Sequence, residues 1–129
     1  MALSKNDKEL LLKDLCARLP HGVKVKLQMY DGTSMVADLT AIEKDGLIGL
    51  DIPADVAWNL EDIKPYLRPM SSMTEEEKAE EPAGTSLDGF MYTHEAEEYI
   101  DWLNAHHFDY RGLIEKGLAI EALEGMYDI

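Results

Sequence analysis

The stretch "VKVKLQMYDGTSMVADLTAIEKDGLIGLDI", residues 23–52, carries the most regular pattern in the chain. Apolar and polar residues alternate over its first seven positions, which is typical of a half-buried strand. Asp-Gly pairs at 31–32 and 45–46 fit tight hairpin turns, because glycine tolerates the positive φ that such turns require. The alternation resumes after each pair, so the stretch predicts three antiparallel strands in a meander. The positions expected to face inward are Val23, Val25, Leu27, Met29, Met35, Ala37, Leu39, Ile48, Leu50 and Ile52.

An amphipathic helix is predicted before the meander. Ser4 or Asn6 can cap its start, and Pro20 and Gly22 end it. Apolar residues recur at helical spacing and predict one buried stripe. Because Cys16 falls on that stripe, its thiol is expected to be buried and inert. The stripe consists of Leu11, Leu12, Leu15, Cys16 and Leu19.

Three prolines shape the segment after the meander. Pro53, Pro65 and Pro69 exclude a long helix or a central strand, since proline lacks the backbone N–H that both use. A short edge strand is expected at residues 63–67. Short strands with tight turns predict a small curved sheet, for which a barrel of the Sm-like or Src-homology type is one form. The predicted fold class is α+β, with an N-terminal helix, a small antiparallel barrel-like sheet and an acidic C-terminal helical segment.

A capping box opens the C-terminal half. Thr74 and Glu77, three residues apart, predict the start of a short helix that ends near Glu81, before Pro82. Residues 82–89 have the composition of a mobile surface loop. The expected division is residues 1–70 for the first helix and sheet, 71–92 for the capped helix and linker, and 93–129 for the helical segment, all within one compact domain.

Another helix is predicted from Thr93, and a hinge follows it. Asp109 is expected to cap a short fourth helix that ends at Gly117. His106 and His107 lie between the two helices, so they mark the hinge. The tail, residues 118–129, fits a strand or a helical turn. The apolar face of the helix from Thr93 is Ala96, Tyr99, Ile100, Leu103 and His107.

The charge of the chain is uneven. The formal net charge is −14, and residues 71–129 hold three Lys/Arg against fifteen Asp/Glu. Such a surface repels phosphate backbones and membrane headgroups and attracts basic partners, so direct nucleic-acid binding is disfavoured. The single cysteine allows no internal disulfide, and the sequence has neither a signal-like start nor a long apolar run. These features predict a cytoplasmic protein.

Two blocks of the sequence resemble a known group of proteins. "DIKPYLRPMSSMTEEE" (62–77) and "DWLNAHHFDYRGLIEKGLAIEALEGMY" (101–127) are similar to small proteins of gut Bacteroidales genomes, often from prophage-like or mobile neighbourhoods. The blocks cover roughly a third of the chain and match no known catalytic motif. The resemblance implies a bacterial, cytoplasmic, phage-linked accessory protein, and it transfers no site residue.

The histidines are candidate metal ligands. A zinc or iron site requires three or four converging donors, and His106, His107 and Asp109 supply an incomplete set. His107 is better explained by a buried hydrogen bond and Asp109 by helix capping. His94 and Glu98 lie one helical turn apart but lack a third ligand. We therefore expect no catalytic residue, no cofactor and no metal.

Lysines on the sheet suggest a weak nucleic-acid site. Outward lysines with Tyr30 as a stacking surface are the elements of such a site. Ordinary edge-protecting lysines explain them as well, and the acidic half opposes nucleic-acid binding. The basic residues in question are Lys24, Lys26, Lys44, Lys64 and Arg68.

Acidic residues of the C-terminal part form the candidate interaction surface. The first hypothesis is a non-enzymatic interaction module that uses this surface to bind an unknown, basic protein partner. The alternatives are a phage-linked regulator or DNA mimic acting on DNA or a DNA-binding protein, and an enzyme with a pocket around His107, Tyr110 and Arg111. The candidate residues are Glu75, Glu76, Glu77, Glu80, Glu81, Glu95, Glu98 and Asp101.

Overall fold

The computed structural model describes residues 3–29, 31–43, 47–51, 58–80 and 93–127, with side chains of the last range described from residue 97. Within these ranges, no helix is both long and apolar enough to cross a membrane. Short 3₁₀ turns lie at Leu19–His21, Leu60–Asp62 and Met70–Ser72. The helices and strands are α1 (Lys5–Arg18), β1 (Lys24–Gln28), β2 (Ser34–Ile42), β3 (Ile48–Leu50), β4 (Ile63–Leu67), α2 (Glu75–Glu80), α3 (Thr93–Ala105) and β5 (Ile120–Glu121).

The strands form one mixed five-stranded sheet in the order β3-β2-β1-β4-β5. The antiparallel pairs β1–β2 and β2–β3 confirm the predicted meander. β4 runs antiparallel to β1 and parallel to β5. Over the described residues the sheet is open, with β3 and β5 as its edges, so a closed barrel is not confirmed. The α+β class is confirmed.

The prediction that residues 63–67 form an edge strand is wrong, because β4 has neighbours on both sides. Pro65 lies opposite Val25 of β1. The pairing with β5 involves only Tyr66 and Leu67, beyond the proline. The N–H that proline lacks is therefore not required by the β5 ladder.

α1 begins at a Ser4 cap, whose hydroxyl accepts the backbone N–H of Asp7 at 3.1 Å. The prediction of a buried thiol is wrong, because Cys16 is exposed. The buried face of α1 includes the charged residues Asp14 and Arg18. Burial of this pair turns the helix so that Cys16, about 100° from Leu15 around the axis, faces solvent.

The main core lies between α1, the inner face of the sheet and the segment after the hinge. Leu11 and Leu15 of α1 pack there with Val25 and Leu27 of β1 and with Leu113, and all five are at most 1% exposed. A second, smaller cluster forms under α3. Its buried members are Tyr99, Leu103 and Phe108. The main core thus draws on both ends of the chain.

The predicted fourth helix is wrong, since residues 110–117 form successive turns. Asp109 still caps this segment, and its two carboxylate oxygens accept the N–H groups of Leu113 at 2.8 Å and Ile114 at 3.0 Å. Gly112 has φ 75°, a left-handed conformation that a right-handed helix does not accept. In the tail, residues 120–121 form the strand β5, which is one of the two structures predicted for this segment.

Candidate functional site

The two histidines lie where the chain leaves α3. His107 has φ 64°, in the left-handed region, and its buried ring stacks on Tyr127 with 3.7 Å between ring centroids. Its Nδ1 has no hydrogen-bond partner among the described residues. Burial, together with the charges of Arg18 and Arg68, lowers the pKa of His107 to about 4. The imidazole is therefore neutral at pH 7, and the buried hydrogen bond expected for it is not formed by Nδ1.

The neighbouring histidine makes different contacts. His106 stacks on Trp102 with 4.3 Å between centroids, and its Nδ1 lies 3.5 Å from a carboxylate oxygen of Glu77. Both oxygens of Asp109 accept backbone N–H groups. Across the described residues, no three His, Cys, Asp or Glu side chains come together in a group that can hold a metal. The geometry of this segment is that of a hinge with aromatic packing.

Arg68 organises the contacts around this hinge. Its guanidinium donates to both oxygens of Glu77, at 2.7 and 2.6 Å, and lies 4.3 Å from the centre of the Phe108 ring. Its backbone N–H donates to the carbonyl of His107 at 2.8 Å, and its carbonyl accepts the N–H of Asp109 at 2.8 Å. Hydrogen bonds from Arg68 are the main reason that the pKa of Glu77 falls to about 2. This pair fastens α2 to the end of β4.

A second buried network joins α1 to the same segment. Asp14 accepts from Arg18 Nε at 2.8 Å and from Arg111 at 2.8 Å. Arg18, which is fully buried, also donates to the carbonyl of Phe108 at 2.6 Å. Sequence reasoning missed this network, although the spacing of Asp14 and Arg18, one helical turn apart, is a signal for an ion pair. These buried charges therefore hold α1 against the segment that follows α3.

The three residues of the enzyme hypothesis are engaged separately. His107 packs on Tyr127. The hydroxyl of Tyr110 bonds to the side-chain oxygen of Asn104 at 3.1 Å. Arg111 pairs with Asp14 and lies over the Tyr110 ring, 4.6 Å from its centre. The polar groups of Tyr110 and Arg111 are thus engaged in structural contacts, whereas His107 contributes a packed ring whose Nδ1 has no partner among the described residues.

Most of the described acidic candidates are exposed, but Glu77 is not. At 6% exposure and paired with Arg68, Glu77 does not lie on a surface available to a partner. Glu81 lies outside the described residues, as do the side chains of His94 and Glu95. Sequence reasoning missed the exposed Glu97 beside Glu98. The candidates that the structure leaves exposed are Glu75, Glu76, Glu80, Glu98 and Asp101.

The predicted basic cluster is not brought together as a whole. Lys24 pairs with Asp38 at 3.0 Å, and Arg68 is occupied by Glu77. Tyr30 and Lys44 lie outside the described residues. What remains is one cross-strand pair, Lys26 opposite Lys64 on β1 and β4.

Comparison of the chain with protein-family models, with curated proteins and with solved structures finds no match in any of the three. Function must therefore be inferred from the side chains themselves.

Proposed function

We propose that this protein is a non-enzymatic interaction module whose acidic surface docks a basic protein. The observation that carries the proposal is the exposure of six carboxylates on α2 and α3, five of which were predicted from the sequence as interaction residues. Within the part of the chain that the structure describes, only Glu75 among them forms an ion pair, with Lys78 at 3.3 Å. We define the acidic surface as Glu75, Glu76, Glu80, Glu98 and Asp101.

The use of the interior charges supports a non-enzymatic role. Asp14, Glu77 and Asp109 are buried and accept hydrogen bonds from arginine or backbone N–H groups. The burial that holds His107 neutral also packs its ring against Tyr127. Nucleophile–base and metal chemistry both require such groups to face a substrate. Here they support the fold instead.

The acidic surface also narrows the class of partner. Carboxylates that lack cations repel phosphate backbones, so the proposal favours a protein over DNA or RNA. The resemblance to Bacteroidales proteins supports a bacterial, cytoplasmic, phage-linked setting. Short strands and the 3₁₀ turn before β4 support a small sheet related to the Sm-like or Src-homology type.

The test is capture of partners from a Bacteroidales lysate on the tagged full-length chain, with identification by mass spectrometry. One variant neutralises the acidic surface and carries Glu75→Gln, Glu76→Gln, Glu80→Gln, Glu98→Gln and Asp101→Asn. A matched control removes five exposed carboxylates elsewhere. The control carries Glu9→Gln, Glu43→Gln, Asp51→Asn, Glu115→Gln and Glu124→Gln.

A basic partner that is lost from the surface variant and at high salt, but kept by the control, supports the proposal. If that partner is a DNA-binding protein released by DNA competition, the module acts as a DNA mimic. If the surface variant and the control retain the same partners, the acidic surface only keeps the protein soluble.

A further inference from the structure

Two clefts lie side by side next to β4, with volumes of about 370 and 180 Å³. Both have Glu61, Ile63 and Lys64 in their walls. The start of α1 and the turn that contains Lys116 also line the larger cleft. Its apolar lining consists of the partly buried Leu3 and of four core residues that are each less than a tenth exposed. These four residues are Leu11, Leu60, Ile63 and Leu118.

Three lysines that form no described ion pair line the two clefts. Lys64 and Lys116 line the larger cleft, and Lys26 and Lys64 line the smaller. Lys26 lies directly opposite Lys64 in the β1–β4 pair, an arrangement of like charges that destabilises a sheet. Among the described residues, none of the three amino groups makes a hydrogen bond or an ion pair. In a chain of net charge −14, such lysines are an unusual feature of the surface.

The carboxylates nearby do not neutralise these lysines. Glu61 pairs with Lys8 at 2.7 Å, and Asp62 accepts the backbone N–H of Asn59 at 3.1 Å. Asp7 lines the larger cleft at the start of α1. The larger cleft is lined by two lysines and two carboxylates, and Lys8 offsets one of these carboxylates from outside the lining, so the group carries a net charge of +1.

We propose that the larger cleft binds a small amphipathic anion. Its apolar body would contact the leucine and isoleucine lining, and its carboxylate or phosphate head group would pair with Lys64 and Lys116. The volume lies near the lower end of the range of roughly 300–1,000 Å³ that is common for small-molecule sites. An apolar lining with a few convergent charges is also the usual composition of such sites. This ligand site is separate in its residues from the acidic surface.

The test uses octanoate as the probe, with octan-1-ol as its uncharged match and octyl phosphate as the alternative head group. Binding is followed by amide chemical-shift changes on the ¹⁵N-labelled full chain. The variant Lys64→Gln/Lys116→Gln is expected to weaken binding of the anions roughly tenfold, because each exposed ion pair contributes a few-fold in affinity. The matched control Lys13→Gln/Lys78→Gln loses the same charge away from the cleft.

Saturable shifts at residues 60–64 and 116–118, caused by octanoate or octyl phosphate and weakened in the cleft variant alone, support the proposal. The probe that binds more tightly identifies the head group. The proposal is overturned if neither anion gives saturable shifts there. It is also overturned if octan-1-ol binds as tightly as the anions, or if both double variants retain the affinity of the natural protein.

Discussion

The guanidinium of Arg68 and the carboxylate of Glu77 form a two-point pair, with donor–acceptor distances of 2.7 and 2.6 Å. The same carboxylate accepts the N–H of Thr74 at 3.0 Å and so completes the capping box of α2. Through its backbone, Arg68 is also hydrogen-bonded to His107 and Asp109. One arginine therefore joins the end of β4, the start of α2 and the hinge after α3.

The first prediction concerns the charge of this pair. Glu77→Gln keeps the size and the capping geometry of the side chain but removes the charge opposite Arg68. We expect the free energy of unfolding to fall by about 2 kcal/mol, because a largely buried arginine loses its counter-charge. Urea denaturation followed by circular dichroism measures the change. The control Glu76→Gln alters an exposed neighbour, and its effect should stay within about 0.5 kcal/mol. Equal effects of the two substitutions would contradict the structural role of Glu77.

A second prediction follows from the pKa of the same group. Glu77 has a pKa of about 2 in the folded chain, against an ordinary value of 4.5. Between these pH values the unfolded chain binds a proton that the folded chain does not, so the free energy of unfolding decreases as the pH falls. The contribution of Glu77 is complete above about pH 5 and is lost towards pH 2. Denaturation curves of Glu77→Gln should lack this component, whereas those of Glu76→Gln should retain it.

His107 gives a third prediction, in a different pH window. Its pKa is lowered from 6.5 to about 4 in the folded chain, so protonation favours the unfolded state between those values. The contribution is complete above about pH 6.5 and is lost as the pH falls towards 4, up to about 3 kcal/mol. His107→Asn should remove this pH dependence, since asparagine tolerates the left-handed backbone at φ 64°. His21→Asn, at an exposed position, is the control and should retain it. A pH dependence that survives in His107→Asn would place its origin elsewhere.

How much of this could be predicted from the sequence depended on the distance over which each feature acts. The capping box of Thr74 and Glu77 was predictable because its partners lie three residues apart. The β1–β2–β3 meander was predictable because alternation and turn residues are local signals. The ion pair of Glu77 with Arg68 was not predictable, because Arg68 lies nine residues away in the sequence and is brought to Glu77 only by the fold.

Two errors share one physical cause. The predictions for Cys16 and for the segment at 110–117 rest on local signals, which are apolar spacing for the thiol and apolar spacing with helix-end residues for the segment. Periodicity does not reveal that the Asp14–Arg18 pair is buried in place of the thiol. Nor does it reveal that Gly112 adopts a positive φ where a helix was expected. In the candidate site, the exposed carboxylates were predictable from composition, but the removal of Glu77 from the surface was not.

The exposed thiol leads to a fourth prediction. Cys16, the only cysteine, lies on the solvent side of α1. Ellman's reagent should therefore modify about one thiol per chain in native buffer, because the exposed thiol is accessible to the reagent without unfolding. Cys16→Ser should give no reaction and change the free energy of unfolding by less than about 0.5 kcal/mol. A thiol that reacts only after urea is added would show that this face of α1 is covered in solution.

The fifth prediction tests how the C-terminal segment is held. The hydroxyl of Tyr127 accepts the N–H of Lys24 at 2.9 Å and donates to the carbonyl of Tyr66 at 2.7 Å, which ties the tail to β1 and β4. Tyr127→Phe retains the ring stacked on His107 but loses both hydrogen bonds. We expect a loss of about 1–2 kcal/mol in the free energy of unfolding, because the N–H of Lys24 is left without its partner.

The same hydroxyl supplies a second readout for this prediction. Burial raises the pKa of Tyr127 to about 12, so the unfolded chain releases this proton first, and stability decreases as the pH rises from 10 towards 12. Tyr127→Phe should lack that component of the alkaline unfolding curve. Hydrogen exchange at the Lys24 amide should also become faster, because its acceptor is gone. If Tyr127→Phe matches the natural protein in both exchange and alkaline stability, the hydroxyl does not hold the tail, and the β4–β5 pairing and the stacking on His107 hold it instead.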